Sequence, residues 1–127
     1  MDISNAELEV LKVLWQQAPL SANDVAVRVQ QDQDWHDKTV KTLLNRLAGK
    51  GAISYQKSGR AYLYSPVIEQ ANYQHKVSSN FVERLFSGRV SPLVAGFAKQ
   101  GKLSAQDIDE LKDLIADWER EQDGPNE

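Results

Sequence analysis

Lys38-Thr39-Val40-Lys41-Thr42-Leu43-Leu44-Asn45-Arg46-Leu47 leads through Gly49-Lys50-Gly51 into Ile53-Ser54-Tyr55-Gln56-Lys57 and, after Ser58-Gly59, into Arg60-Ala61-Tyr62-Leu63-Tyr64-Ser65-Pro66. Val40, Leu43, Leu44 and Leu47 stand at i, i+3, i+4 and i+7, a full apolar stripe along one face of a helix. The remaining face presents Lys38, Thr39, Lys41, Thr42, Asn45 and Arg46. Gly49 and Gly51 punctuate the helix end, and Lys50 suits the negative end of its dipole. The period then changes. Residues 53–57 and 61–64 read as two strands around Ser58-Gly59, where Gly59 supplies the positive φ of a tight turn and Pro66 ends the second strand. A lone two-stranded hairpin is not stable in water, so this one must lie against helices.

Upstream, Ser4-Asn5-Ala6-Glu7 has the form of a capping box. Leu8, Leu11 and Trp15, widened by Val10 and Leu14, give the helix after it one apolar stripe, and it ends before Pro19. Ser21-Ala22-Asn23-Asp24 is a second cap, opening a short helix with Ala22, Val25 and Val29 inward. Downstream, strand signals cease. Tyr73, Val77, Phe81 and Leu85 step by four along one face from about Glu69, with Val82 and Phe86 beside them. Ser87-Gly88 and Ser91-Pro92 separate this helix from a short one over Leu93–Lys99, which Gly101 ends. Ser104 and Asp107 cap a last helix carrying Ile108, Leu111, Ile115 and Trp118 at heptad spacing, with Leu114 alongside.

The order helix, helix, helix, hairpin predicts a mainly α chain. Its first part is a winged helix-turn-helix of three helices and a two- to three-stranded β wing, and a C-terminal helical dimerisation module follows. The expected division is 1–67 for the winged-helix DNA-binding domain, 68–122 for the helical dimerisation domain and 123–127 for a flexible tail. A module of about sixty residues cannot easily bury Tyr73, Phe81, Phe86, Phe97 and Trp118 by itself. Its apolar positions therefore read as a homodimer interface built from Tyr73, Val77, Phe81, Leu85, Phe97, Ile108, Leu111, Ile115 and Trp118. A cover laid over the winged helix of the same chain is the other reading.

Composition narrows the function. The 127 residues are 41% hydrophobic and 26% charged, ordinary values for a folded globular chain. There is no cysteine, which removes disulfides, thiolate metal sites and thiol nucleophiles. No apolar run approaches the length of a membrane helix, and Met1–Glu7 lacks the basic and apolar regions of a signal peptide, so a cytoplasmic protein without membrane insertion is expected. The net charge of −3 is unevenly spread. Residues 1–66 hold eight Lys/Arg against seven Asp/Glu, whereas 67–127 hold seven against eleven. Between Lys38 and Ile68 stand Lys38, Lys41, Arg46, Lys50, Lys57 and Arg60, with no acid among them. Local asymmetry of this kind sets the field a partner meets.

Catalytic chemistry is poorly represented. No nucleophile elbow is present, and His36 and His75 fall in different modules and in no metal-ligand pattern, so neither a catalytic site, a metal site nor a cofactor is expected. Gly49-Lys50-Gly51 closes a helix instead of opening one, unlike a phosphate loop. Asp107, Asp109, Asp113 and Asp117 read as the solvated face of a helix.

The basic and hydroxylic face of the third helix has what a major-groove helix needs. Lys and Arg meet phosphates or guanine edges, Thr methyls meet thymine methyls, and Asn pairs with adenine. The expected partner is therefore double-stranded operator DNA. The expected contacts are Lys38, Thr39, Lys41, Thr42, Asn45 and Arg46 on the helix, Lys57 and Arg60 at the wing, and Ser21 at the preceding cap. Tyr62 and Tyr64 are expected to pack against the helices, since one face of the hairpin must be buried. A winged helix serving only as a protein-interaction subunit is the alternative, and the acid-free stretch speaks against it.

Several of these segments together resemble the penicillinase-repressor (BlaI/MecI/CopY) family over about residues 3–120. They are Ile3-Ser4-Asn5-Ala6-Glu7, Val13-Leu14-Trp15, Asp34-Trp35, Lys38 to Leu47, Gly59-Arg60-Ala61-Tyr62-Leu63-Tyr64-Ser65-Pro66, and Leu103-Ser104 leading into Ile108-Asp109-Glu110-Leu111. The resemblance implies a homodimeric transcriptional repressor with recognition-helix contacts at Lys38, Thr39, Lys41, Thr42 and Arg46 and a wing contact at Arg60. It also implies, for the β-lactam branch, a membrane sensor that triggers proteolysis of the C-terminal part. Three departures stand out. Without cysteine, the thiolate metal binding of the copper branch cannot operate here. His36-Asp37 replaces the Ser-Pro of many members, which moves the expected helix cap to Asp37. The family cleaves an Asn–Phe bond, and Leu93-Val94-Ala95-Gly96-Phe97 puts glycine at the Asn position, so the candidate bond is Gly96–Phe97. Asn80-Phe81 does not align with it.

Overall fold

The computed structural model describes residues 2–123, so residues 124–127 of the expected tail lie outside the described residues. The order is α1 (Asn5–Gln16), β1 (Leu20–Ser21), α2 (Ala22–Val29), α3 (Asp37–Gly49), β2 (Ile53–Ser58), β3 (Ala61–Pro66), α4 (Gln70–Phe86), α5 (Ser91–Lys99) and α6 (Ala105–Gln122). The strands form an antiparallel sheet in the order β1-β3-β2. β1 is two residues long and pairs Leu20 with Tyr64 and Ser21 with Leu63. So short a strand leaves no alternation to read in the sequence.

The capping box at Ser4 forms as expected: Ser4 Oγ accepts from the Glu7 amide at 3.1 Å, and Glu7 Oε1 accepts from the Ser4 amide at 2.9 Å. The stripe it introduces is displaced from the expected one. Glu7, Val10, Leu11 and Leu14 are the buried residues of α1, whereas Leu8 and Trp15 are half-buried. The inward i, i+3, i+4, i+7 series thus begins at a carboxylate. That carboxylate is tolerated because Lys50 Nζ donates to Glu7 Oε1 at 2.7 Å and to the Asp2 carbonyl at 2.6 Å. Lys50 therefore spends its charge on Glu7, and is not free for the end of α3 as its position suggested. Burial pushes the Glu7 carboxyl up, but its bonds from Lys50 and Ser4 outweigh that and hold it below its ordinary value.

Val40, Leu43, Leu44 and Leu47 are buried as their spacing predicts, against Val10, Leu11 and Leu14 of α1 and Val25, Ala26 and Val29 of α2 in one cluster. Leu20, Ala52 and Ile53 complete it. Two details of α3 differ from expectation. The cap is His36, whose carbonyl accepts from the Thr39 and Val40 amides, while Asp37 is the first helical residue and accepts from Gln30 Nε2 at 2.7 Å. An acid there still complements the helix dipole. At the other end Gly49 is helical and Gly51, at φ +79°, terminates the helix. The Gly51 amide bonds to the Ala48 carbonyl and the Ala52 amide to the Leu47 carbonyl, both at 3.0 Å, a Schellman arrangement.

The chain divides into two compact units, one ending at Lys76 and the next beginning at Val77, inside α4. Within the first unit Trp15 Nε1 donates to the Ile68 carbonyl at 2.9 Å, and its ring lies 5.9 Å from that of Tyr73. These contacts tie the start of α4 to α1. In the second unit Ser104 and Asp107 form a capping box on α6, as expected. None of the described residues of α4, α5 or α6 is buried.

Candidate nucleic-acid interface

A helix whose stripe is buried on one side must offer its other side to solvent. On α3 that side carries Lys38, Thr39, Lys41, Thr42, Asn45 and Arg46, all exposed. The Thr42 hydroxyl donates to the Lys38 carbonyl at 3.0 Å, so what Thr42 offers outward is a methyl group and oxygen lone pairs. Among the described residues no ion pair engages Lys38, Lys41, Arg46, Lys57 or Arg60. Lys50 is the member of the acid-free stretch removed from this set, by Glu7.

The wing extends the same surface. Gly59 takes φ +64° at the turn between β2 and β3, as expected, and Lys57 and Arg60 flank it, both exposed. In the ladder Tyr55 faces Tyr64 and Lys57 faces Tyr62, so these four side chains share one face of the sheet. Tyr64 packs against the core, as anticipated. Tyr62 does not: it is 48% exposed, its ring set edge-on to Tyr55 at 5.1 Å. Among the tyrosines of the wing only Tyr64 packs against the core cluster, so the hydrophobic support of the wing face ends there. Burial, with the neighbouring Tyr55 and Tyr62, raises the Tyr64 hydroxyl above its ordinary value.

Between α2, α3 and the wing lies a groove of about 350 Å³, lined by Ser21, Asn23, Lys41, Asn45, Arg60, Tyr62 and Tyr64 together with Ala22 and Ala61. It gathers four of the anticipated contact residues, Ser21, Lys41, Asn45 and Arg60. Lys38, Thr39, Thr42 and Arg46 lie along α3 outside it, and Lys57 stands on the wing. Ser21 caps α2 and accepts from the Asp24 amide at 3.1 Å. Sequence reasoning missed Tyr62 and Tyr55 as part of this surface. The strand register was the available signal, because it puts both on the face of Lys57.

The residues anticipated for pairing with a second copy are mostly open in a single chain. Val77, Phe81, Leu85, Phe97, Ile108, Ile115 and Trp118 are exposed, Leu111 is half-buried, and Tyr73 packs on Trp15. Gly96 and Phe97 lie inside α5. Among the described residues no group of His, Cys, Asp or Glu is placed to hold a metal ion, and no helix is long and apolar enough to cross a membrane.

Comparison with known proteins agrees with this geometry. Residues 3–117 match the penicillinase repressor family. A penicillinase repressor of Bacillus licheniformis is 35% identical over 113 residues, covering 89% of this chain and 88% of the relative. The methicillin resistance regulatory protein MecI of Staphylococcus aureus is 33% identical over 114 residues, covering 90% of this chain and 93% of the relative. Among solved structures, the monomeric form of Bacillus licheniformis BlaI in complex with the blaP half-operator is similar, with 40% identity and a TM-score of 0.51 over 57% of this chain and 89% of that one. The exposed basic face of α3, the tyrosine-bearing wing and the helices beyond it are therefore those of a chain that belongs to the penicillinase repressor family.

Proposed function

We propose that this chain is a transcriptional repressor, not an enzyme, and that it binds operator DNA as a homodimer with α3 in the major groove. The observation that carries this reading is the exposed α3 face from Lys38 to Arg46, basic, hydroxylic and without a carboxylate, beside a cationic wing. A relative 40% identical over 57% of this chain has been solved with its half-operator. In this reading Lys38, Lys41 and Ser21 meet backbone phosphates, Arg46 a guanine edge, Thr39 and Thr42 thymine methyls, and Asn45 an adenine. Lys57 and Arg60 grip the flanking backbone. The open apolar stripes of α4 and α6 support pairing with a second copy, which matches the two-fold symmetry of an operator. The relatives' names direct the search for target genes to β-lactam resistance.

Mobility shifts on a promoter duplex test the docking. Thr42→Ala and Arg46→Ala leave the core intact and are expected to cost about 1–3 kcal/mol each per half-site. Lys57→Ala is expected to weaken all sequences alike and to flatten the salt dependence by about one unit of slope. Unchanged operator affinity in both helix variants overturns the docking.

For induction we propose cleavage at Gly96–Phe97 through a membrane sensor and protease. The bond lies within α5, so cutting requires local opening, which glycine eases by about 1 kcal/mol relative to alanine. Mass spectrometry of the protein from cells given a β-lactam decides this. Fragments ending at Gly96 support it, and an intact chain on a derepressed promoter overturns it.

A further inference from the structure

The groove between α2, α3 and the wing contains more donors than the recognition helix alone accounts for. Lys41 and Arg60 bring two cations to it from different elements, Asn23 and Asn45 bring amides, and Tyr62 brings a phenol, with no carboxylate on its lining. Its volume of about 350 Å³ is near the low end for small-molecule pockets, and its two charges, Lys41 and Arg60, are both positive with no carboxylate on the lining to offset them. An anionic strand segment suits it better. Tyr62 is also held in place. Its ring stands edge-on to Tyr55 at 81°, and Tyr55 in turn lies 5.8 Å from the core-packed Tyr64. A half-exposed tyrosine braced from behind loses little rotamer freedom when its hydroxyl is engaged.

Resting on the DNA-binding reading above, we infer that the groove seats one backbone phosphate of the operator strand, with Tyr62 donating its hydroxyl to that phosphate alongside Arg60 and Lys41. Tyr55 is the positioning residue that keeps the Tyr62 ring upright. A seat built from α3 and the wing together fixes where α3 lies along the major groove, and so which base pairs its side chains reach. A phenol-to-phosphate bond is a hydrogen bond to a charged group and is stronger than a neutral one.

The experiment uses the full chain and a duplex selected by it from a randomised pool, with single methylphosphonate substitutions walked along each strand. Tyr62→Phe keeps the ring and removes only the hydroxyl. It is expected to lower affinity roughly tenfold without changing the salt slope, because no charge is lost, whereas Arg60→Ala lowers the slope by about one. One methylphosphonate position is expected to weaken the native chain and to have little further effect on Tyr62→Phe, a coupling that a structural role for the ring does not produce. Tyr55→Ala is expected to reproduce part of the Tyr62→Phe loss, with the same methylphosphonate coupling reduced. If Tyr62→Phe binds as the native chain does while Arg46→Ala does not, the seat is overturned and the repressor reading stands. If the native chain selects no duplex, both fall together.

Discussion

The unit ending at Lys76 and the helices beyond it treat the same raw material differently. Between Val10 and Ile53, aliphatic side chains from three helices and the sheet close over one another, and Val10, Leu11, Val25, Val40, Leu44 and Leu47 have no exposed surface at all. α6 carries an equally regular apolar stripe, yet Trp118 is 60% exposed, Ile115 57% and Ile108 40%. An amphipathic pattern announces that a face is to be covered; it does not say which chain supplies the cover. In the first unit three helices of complementary stripe are close in sequence and short loops bring them together. The later helices have no comparable closed set.

Leu44→Ala is the severest test of this contrast. The side chain is fully buried, so the substitution is expected to cost about 2–5 kcal/mol in denaturant unfolding, independently of protein concentration. A loss below about 0.5 kcal/mol, the range of surface substitutions, sinks the account of the core. Trp118→Ala should behave in the opposite way. It is expected to weaken self-association by about 2–4 kcal/mol in sedimentation equilibrium, while unfolding measured where the chain is dilute enough to be monomeric is unchanged. An unchanged association constant removes α6 from the proposed dimer interface.

Glu7→Gln has the smallest expected effect, about 1–3 kcal/mol, since Lys50 is partly exposed and the pair is screened. Its sign follows from the lowered carboxyl. A group held below its ordinary value contributes stability that is fully present above about pH 4.5 and is lost as pH falls through its folded value. The native chain and Glu7→Gln should therefore differ most near neutrality and converge in acid. Urea midpoints at pH 7 and pH 3 report this, and a gap that widens in acid contradicts it.

Much of this was legible in the sequence because the local signals agreed. The Val40/Leu43/Leu44/Leu47 stripe, the Ser4, Ser21 and Ser104 caps and the Gly59 turn each rest on spacing or dihedral chemistry that only neighbours in sequence determine. What escaped depends on distant partners. Glu7 reads as surface until Lys50, far along the chain, neutralises it. Tyr62 reads as core until its place on the lining of an open groove is known. The same limit explains the cap: Asp37 has the chemistry of a cap residue, but Gln30 from the end of α2 occupies its carboxylate, and the chain enters the helix one residue earlier.

Ala52 is fully buried and uses both of its backbone groups to join two elements. Its amide closes the end of α3 on Leu47, while its carbonyl accepts the Val67 amide at 2.8 Å and the Ile68 amide at 3.3 Å, just past β3. The base of the wing and the end of the helix are thus bolted to one peptide unit, next to the Ile68 carbonyl that Trp15 holds. For an engineer this sets where sequence preference can be rewritten. Side chains on the outer face of α3 and those flanking the Gly59 turn are interchangeable fittings, whereas a single residue inserted or deleted between Leu47 and Ile53 misaligns helix and wing together. Retargeting by exchange of surface residues should therefore succeed where grafting a foreign recognition helix of different length fails.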